Sequence, residues 1–450
     1  MQMRLNDGRG GLTGWPAAAS ARRQKGQVLA LGLLLAAIVG LAWVSRFSMG
    51  QLLGEKTRLI HGLDAAAYSG ALVQARTLNF LSYLHRAQWA HQLAMAHLVT
   101  LGSWAHFGGM EARRLAQGNP PAHLIGLEFG PAHGQAYLAA AQAVGLEQQA
   151  RQGSALRQAY AAHETFVHDT TQALAAVLVQ ALPDRRMAMM QAVMAAHYPE
   201  DGTLSWQLEI LHDDWPGFVQ RQPPDAAMVA WLTSLAAPYR FLGPRQYTAR
   251  NPWPVSGRCP SRRHELRRRG ETRIDTAGRW QAGDTQSFHA LRSNRWIGCY
   301  YREYAMGWAW LPAHDGQVLA EDHVQNPPDA FADQAFWRWV QAAAGWDLAG
   351  GQANPLANSY AVRDRQVWGG RGLAAHQDIQ ASFGHQGQAR FVVRAQRTGP
   401  QGRRVRARSA AESHFSRPHI RLDGRRETPN LFHPYWLARL ASGLDEPAGE

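Results

Sequence analysis

Several signatures that would name a catalyst are missing from this chain. Cysteine is confined to Cys259 and Cys299, too few for a disulfide scaffold or a Cys-rich zinc site. They either pair with each other or stay as structural thiols. There is no P-loop or dinucleotide fingerprint, and no G-x-S-x-G elbow for a serine nucleophile. "GGRGLAAH", from residue 369, lacks the Lys-Ser/Thr ending and a buried strand before it, so it reads as a loop. Lysine occurs only as Lys25 and Lys56, so the net charge of +13 rests on arginine. Those arginines are scattered, the pattern of compositional bias, and nucleic acid is not expected as a partner. The densest run, Arg262 to Arg269 in "RRHELRRRG", reads as an exposed loop or edge strand. Only one long uncharged apolar run is present, which excludes a polytopic transporter.

That run, Gly26 to Ser45, is about as long as a helix needs to cross the hydrocarbon core. Arg4, Arg9, Arg22, Arg23 and Lys25 precede it against a single Asp7. Arg46, Lys56 and Arg58 come after it, offset by Glu55 and Asp64. The more basic N-terminal flank predicts a cytoplasmic N-terminus, with the chain from about residue 47 onward outside. Trp43 and Phe47 fall where an interfacial aromatic belt sits. The exit "GLAWVSRF" is too bulky for a signal-peptidase site, so the segment is expected to be retained as an anchor.

Between residues 46 and 119 the chain has no proline and is rich in helix formers. Leu72, Leu78, Leu81, Leu84, Leu93, Leu98 and Leu101 recur at helical spacing. The anchor should run on into one long helix, or into two bent near Gly62 or Gly70. Asp64, Ala65, Ala66, Ala67, Ser69, Gly70 and Ala71 form a small-residue run, which either admits another helix closely or reflects helix propensity alone. The order Lys25-Gly26, apolar span 27 to 45, then "LDAAAYSGAL" resembles the N-terminal region of TadE/TadG-like proteins of tight-adherence (Flp) pilus-assembly systems. The resemblance covers roughly residues 22 to 75. It implies a bacterial inner-membrane protein with a periplasmic body, other pilus-assembly membrane proteins as partners, and a small-residue run open to self-association. Filament subunits cut after such a glycine carry an acid five positions beyond it; here that position is Leu31. An assembly or accessory protein is therefore expected, not a processed filament subunit.

Beyond the Pro/Gly-rich loop at 118 to 134, Ala-rich helical sequence runs to Pro183, and a third helix is expected before Pro199. These helices should fold back on residues 75 to 107 as an antiparallel bundle. From Leu204 the texture turns to short aromatic and β-branched runs: "TLSWQLEIL", "HELRRRGETRID", "RWQAGDTQSFHALR", "WIGCYYREYAMGWAW" and "ARFVVRAQR". An antiparallel sheet is expected, with short helices near 333–344 and 433–441 and long loops at 311–332 and 345–380. The fold class is thus α+β: a cytoplasmic tail (1–25), a transmembrane helix (26–46), a helical stalk (47–198) and a β-rich domain (199–450).

The chain has 20 histidines, so metal sites must be weighed. His85, His91 and His97 lie six apart and turn by roughly 240° each time, so they point apart. His163 and His168 miss the i, i+4 spacing of a zinc helix. His212 to Asp214 has no evident partner. No metal or other cofactor is expected. Trp296, Trp308 and Trp310 with Tyr300, Tyr301 and Tyr304 suggest a sheet core, or more sharply a glycan-binding platform. The expectation is a non-enzymatic, membrane-anchored component of a pilus or secretion apparatus; the alternative is an anchored cell-envelope hydrolase or glycan-binding protein.

Overall fold

The structure, a computed structural model, describes residues 27–199, 206–295, 298–317, 335–341, 365–384, 386–398 and 402–441. One helix organises it. α1 spans Gln27–Ala116, 90 residues without a break, so it extends about 135 Å at 1.5 Å per residue. Neither Gly62 nor Gly70 interrupts it. Arg113 and Arg114 in its last turn complement the helix dipole.

Burial divides α1 in two. From Val28 to Met49 its large apolar side chains are exposed, and nothing covers the apolar window; Leu52 is the first to touch the body, half-buried against the core. From Leu59 onward the helix is half embedded. Leu59, Leu63, Ala66, Ala67, Ala71, Ala75, Leu78 and Leu81 recur at helical spacing on a buried face.

After α2 (Ala122–Phe129) and α3 (Pro131–Ala139), the chain returns along α1 as α4 (Ala155–Thr165), a π turn (Phe166–Thr171) and α5 (Gln172–His197). The contacts step in opposite directions: His91 meets His163, Gln88 meets Thr171, and Arg58 meets His197. This is the expected antiparallel pairing. The expected break at Pro183 does not occur, because Pro183 lies inside α5. Proline there forfeits a helix hydrogen bond, but Leu182, Arg186, Met190 and Met194 on either side are all buried.

Two antiparallel sheets pack on α1 at different heights. The first, in order β1-β8-β9-β10, contains β1 (Trp206–Asp213), β8 (Gln388–Thr398), β9 (Arg404–Phe415) and β10 (Trp436–Leu440). It covers the α1 segment nearer the exposed end, with Phe391, Val393, Ala395 and Ala407 against Leu59 to Ala71. The second, in order β3-β4-β5-β6, contains β3 (Tyr247–Arg250), β4 (Glu265–Ile274), β5 (Trp280–Asn294) and β6 (Gly298–Leu311). It lies against the far end of α1. Between them sit the ribbon β2 (Val219–Gln222) with β7 (His376–Ile379), and the helices α6 (Trp215–Phe218) and α7 (Ala226–Ala236). α8 (Phe336–Gln341), inside the helix expected at 333–344, packs Phe336 and Trp339 onto Phe288 and Tyr304. The mixed helix and antiparallel-sheet architecture matches the expected fold class. The stalk and the β-rich region are not independently packed, since each hydrophobic cluster draws residues from both.

Further local expectations are overturned. Residues 118–134 are not a loop throughout, since Ala122–Phe129 and Pro131–Ala139 are helical and meet at Gly130. Residues 433–441 hold the strand β10, not a helix: Trp436 and Ala438 turn inward while Leu437 and Arg439 turn outward, a period of two. The Arg262–Arg269 run departs in its second half: Arg262 to His264 is loop, with Arg262 exposed, but Glu265 to Arg269 lies in β4 between β3 and β5 and is not an edge. Alternation sends Arg268 inward, where its guanidinium lies 3.6 Å from the Phe107 ring centroid and bonds Asp284 at 3.0 Å. Of the long loops expected at 311–332 and 345–380, residues 318–332 and 345–364 lie outside the described residues, as does Trp296; 366–375 is loop as expected, but His376–Ile379 is the strand β7.

Candidate functional site

The predicted membrane and packing residues divide by burial. Gly26 lies outside the described residues. Trp43 is 75% exposed on the uncovered part of α1. In the small-residue run, Ala65 is exposed and Asp64 half-buried, while Ala66, Ala67 and Ala71 are fully buried and Gly70 is also buried. The close neighbours belong to the same chain: a Cβ on Gly70 would stand 3.1 Å from Arg186, Met190 and Phe391. Cys259 and Cys299 are joined, tying the loop before β4 to the start of β6.

The histidines take separate structural posts. His91 Nδ1 lies 2.7 Å from His163 Nδ1, and His168 bonds the Gly372 carbonyl. His212 pairs with Asp214 at 2.7 Å, while Asp213 holds the buried Arg186. Among the described residues no group of three or more His, Cys, Asp or Glu is arranged to hold a metal. Ser287, His289 and Glu303 lie together and buried, but Ser287 Oγ (3.0 Å) and Glu303 Oε1 (3.6 Å) both face Nε2 of His289. A triad needs the acid on the other ring nitrogen. Trp308 and Trp310 are buried at 3% and 1% exposure: they are core, not a platform.

An aromatic cleft does open elsewhere, with a volume of ≈ 640 Å³ between α1, α7, β7 and the turn before β10. Phe432 is its hub. Its ring centroid lies 4.4 Å from Trp89, 5.5 Å from Trp231 and 5.3 Å from His376. Asp225, Asp378, Glu427 and His433 stand around these rings.

Local sequence accounts for each part. Asp225 caps α7 by accepting from Met228 N at 2.8 Å. Asn430 folds the turn by accepting from Phe432 N at 2.9 Å and His433 N at 3.0 Å. Glu427 is held by Arg417 and Arg421 and lies 3.5 Å from His433. Asp378 accepts from Leu431 N, and burial raises its pKa above the usual carboxylate value.

His85 of α1 pins both walls from below. Its Nδ1 donates to the Leu431 carbonyl at 2.7 Å, and its Nε2 accepts from Gln377 N at 3.2 Å. Those two bonds define one neutral tautomer. Burial lowers the pKa of His85 to about 4, partly offset by the Leu431 bond. The cleft was not legible in sequence because its rings come from residues 89, 231 and 432. The only signals were the abundance of tryptophan and the turn chemistry of "ETPNLFHPYW".

A second concavity of ≈ 800 Å³ runs between α1 and α5, lined by Val73, Phe80, Leu174, Leu178 and Met189 with Arg76 and Arg185 at its margins. No family model matches the sequence, and no curated protein or solved structure is detectably similar to it.

Proposed function

We propose that the protein is a single-pass, N-in membrane protein whose body stands outside the cytoplasm and works by binding partners, as a component or accessory of a tight-adherence-type pilus or secretion apparatus. The observation that carries the anchor is the uncovered apolar stretch of α1, continuous with a helix embedded in a folded body. An apolar surface of that length, exposed on all sides, suits lipid and not water. The basic flank before it supports the orientation. The Cys259–Cys299 bond supports an oxidising compartment for the body. The pilus assignment rests on the resemblance of residues 22 to 75.

The aromatic cleft favours a second reading, a membrane-anchored binder or hydrolase of cell-envelope glycan. Partly exposed rings beside fixed carboxylates suit the apolar face and hydroxyls of a saccharide. Cross-linking in the native membrane separates the two. Capture of pilus-assembly membrane proteins by the uncovered part of α1 is the expected result. Capture of none of them, with glycan fragments retained or cleaved by the purified protein, replaces the first reading with the second.

A further inference from the structure

We infer that the end of the β8–β9 hairpin is a lipid-facing lip, whose arginines bind the headgroups of anionic phospholipid in the leaflet that α1 leaves. This rests on reading the uncovered part of α1 as a membrane anchor.

The argument is one of height. β8 runs alongside α1 in the opposite direction, and three contacts fix the register. Gln74 donates to the Ala389 carbonyl at 3.0 Å, Phe391 lies against Gly70, and Arg397 pairs with Glu55. From Ala389 to Arg397 a strand rises about 26 Å, and from Gln74 back to Glu55 a helix rises about 28 Å, so the two ladders keep pace. Thr398 therefore stands near the level of Leu53. Arg404 pairs with Thr398 across the hairpin, and Arg403 precedes it, nearer still to the anchor. If the hydrocarbon ends near Phe47, the lip lies about 5–9 Å beyond it along the helix axis. The headgroup layer is about 5–8 Å thick.

The charge at that level is of one sign. Arg403 and Arg404 are exposed at the lip and Arg406 is exposed two residues, about 7 Å, behind it; alternation puts Arg404 and Arg406 on the solvent side of β9 while Val405 and Ala407 point into the core. Lys56 is exposed on α1 at the same height. The acids are already engaged: Glu55 pairs with Arg397, and Glu209 with Arg394 on the neighbouring strand. Arg58 is also held, through the His197 carbonyl and the Tyr198 ring. Arg406 bonds only the neutral Gln396, and among the described residues no carboxylate pairs with Arg403 or Arg404. Glu200 and Asp201 lie outside the described residues. Guanidinium groups suit phosphate through their paired donors. A chain tethered by α1 holds them against lipid phosphate before any soluble polyanion, which favours lipid over nucleic acid.

The test uses the full chain in nanodiscs of phosphatidylcholine alone or mixed with phosphatidylglycerol, read by amide hydrogen exchange over residues 402–408. Exchange should slow in the anionic discs, by roughly fivefold for each arginine engaged, and the slowing should vanish at high salt. It should also vanish in the R403Q/R404Q/R406Q variant, whose changes lie on the exposed side of β9 and leave exchange in the core strand β5 unchanged. Equal exchange in the two lipids overturns the proposal, as does slowing that survives the triple change. Failure of the unaltered chain to enter discs of either lipid removes the anchor instead, and the lip with it.

Discussion

Between Leu59 and Ala71, α1 meets its sheet through leucine, alanine and glycine. Between Ser103 and Arg114 it meets the other sheet through polar and aromatic groups. Near the anchor, Ala66, Ala67 and Ala71 are fully buried beneath Phe391, Val393 and Ala407. At the far end, Ser103 Oγ donates to Asp284 at 2.6 Å, Phe107 and Glu111 crowd Gly307, and Arg114 donates to Tyr304 at 2.9 Å. Small side chains let a helix and a sheet approach closely without demanding any one geometry. An ion network demands its geometry, because each charge removed from water must be answered by a partner. The end that carries the disulfide is also the end with the more deeply buried acid, Asp284, which answers two arginines where Asp213 answers one.

The largest test of that contrast is loss of one acid from each end. Asp284 is fully buried and receives Arg245 at two points, Arg268 and Ser103. D284A strands two guanidinium groups and should cost about 3–5 kcal/mol. Asp213 is 19% exposed and answers one arginine, which Gln74 also holds at 2.8 Å. D213A should cost about 1–3 kcal/mol. Denaturant unfolding in detergent gives both values, and equal costs would mean that the two ends are held alike.

Titration offers a second contrast, with opposite signs. His85 has its pKa lowered to about 4, against about 6.5 unfolded. Its contribution is complete above pH 6.5 and is lost as pH falls toward 4, because the unfolded chain takes up the proton first. That amounts to about 2 kcal/mol between pH 6.5 and 5. Glu111 at the far end has its pKa raised to about 7 by burial, against the pull of Arg268. Its contribution is complete below about pH 4.5 and is lost as pH rises through 7. The two windows overlap and oppose each other, so between about pH 4.5 and 6.5 H85Q should tilt unfolding free energy downward with rising pH, and E111Q should tilt it upward. The amide of Gln377, which donates to His85, should be less protected at pH 5 than at pH 7 once the slower intrinsic exchange at pH 5 is divided out.

How much of this could be read beforehand depends on where each signal lives. The apolar run, the helical leucines and the period-two strands are local patterns, and α1, β1, β4, β5, β6 and β8 lie where those patterns fall. The failures needed distant information. Pro183 stays helical because α1 covers its neighbours. Residues 436–440 are extended because β9 offers an edge. Arg268 turns inward because Asp284, far along the chain, waits for it. The cleft is least legible of all, because no local pattern links Trp89, Trp231 and Phe432. The small-residue run was legible as a close-approach surface, but its occupant, α5 and the sheet of the same chain, was not.

The smallest effect sharpens the comparison most directly, because it makes one change in one helix at two heights. At Gly102 a Cβ would stand 2.5 Å from the Trp368 ring and 2.8 Å from Leu311. Trp368 cannot swing away, since it is buried and donates to the Ala150 carbonyl at 2.7 Å. G102A should therefore lose about 1–2 kcal/mol despite the better helix propensity of alanine. At Gly70 the nearest atoms stand 3.1 Å from the same added carbon, and one of them, Met190 Cγ, belongs to an unbranched chain that shifts easily. The propensity gain of about 1 kcal/mol should nearly offset the crowding, leaving G70A within about 1 kcal/mol of the unaltered protein. A G70A penalty matching that of G102A would show that the alanine-lined interface is as exacting as the ionic one, and the contrast between the two ends of α1 would reduce to charge alone.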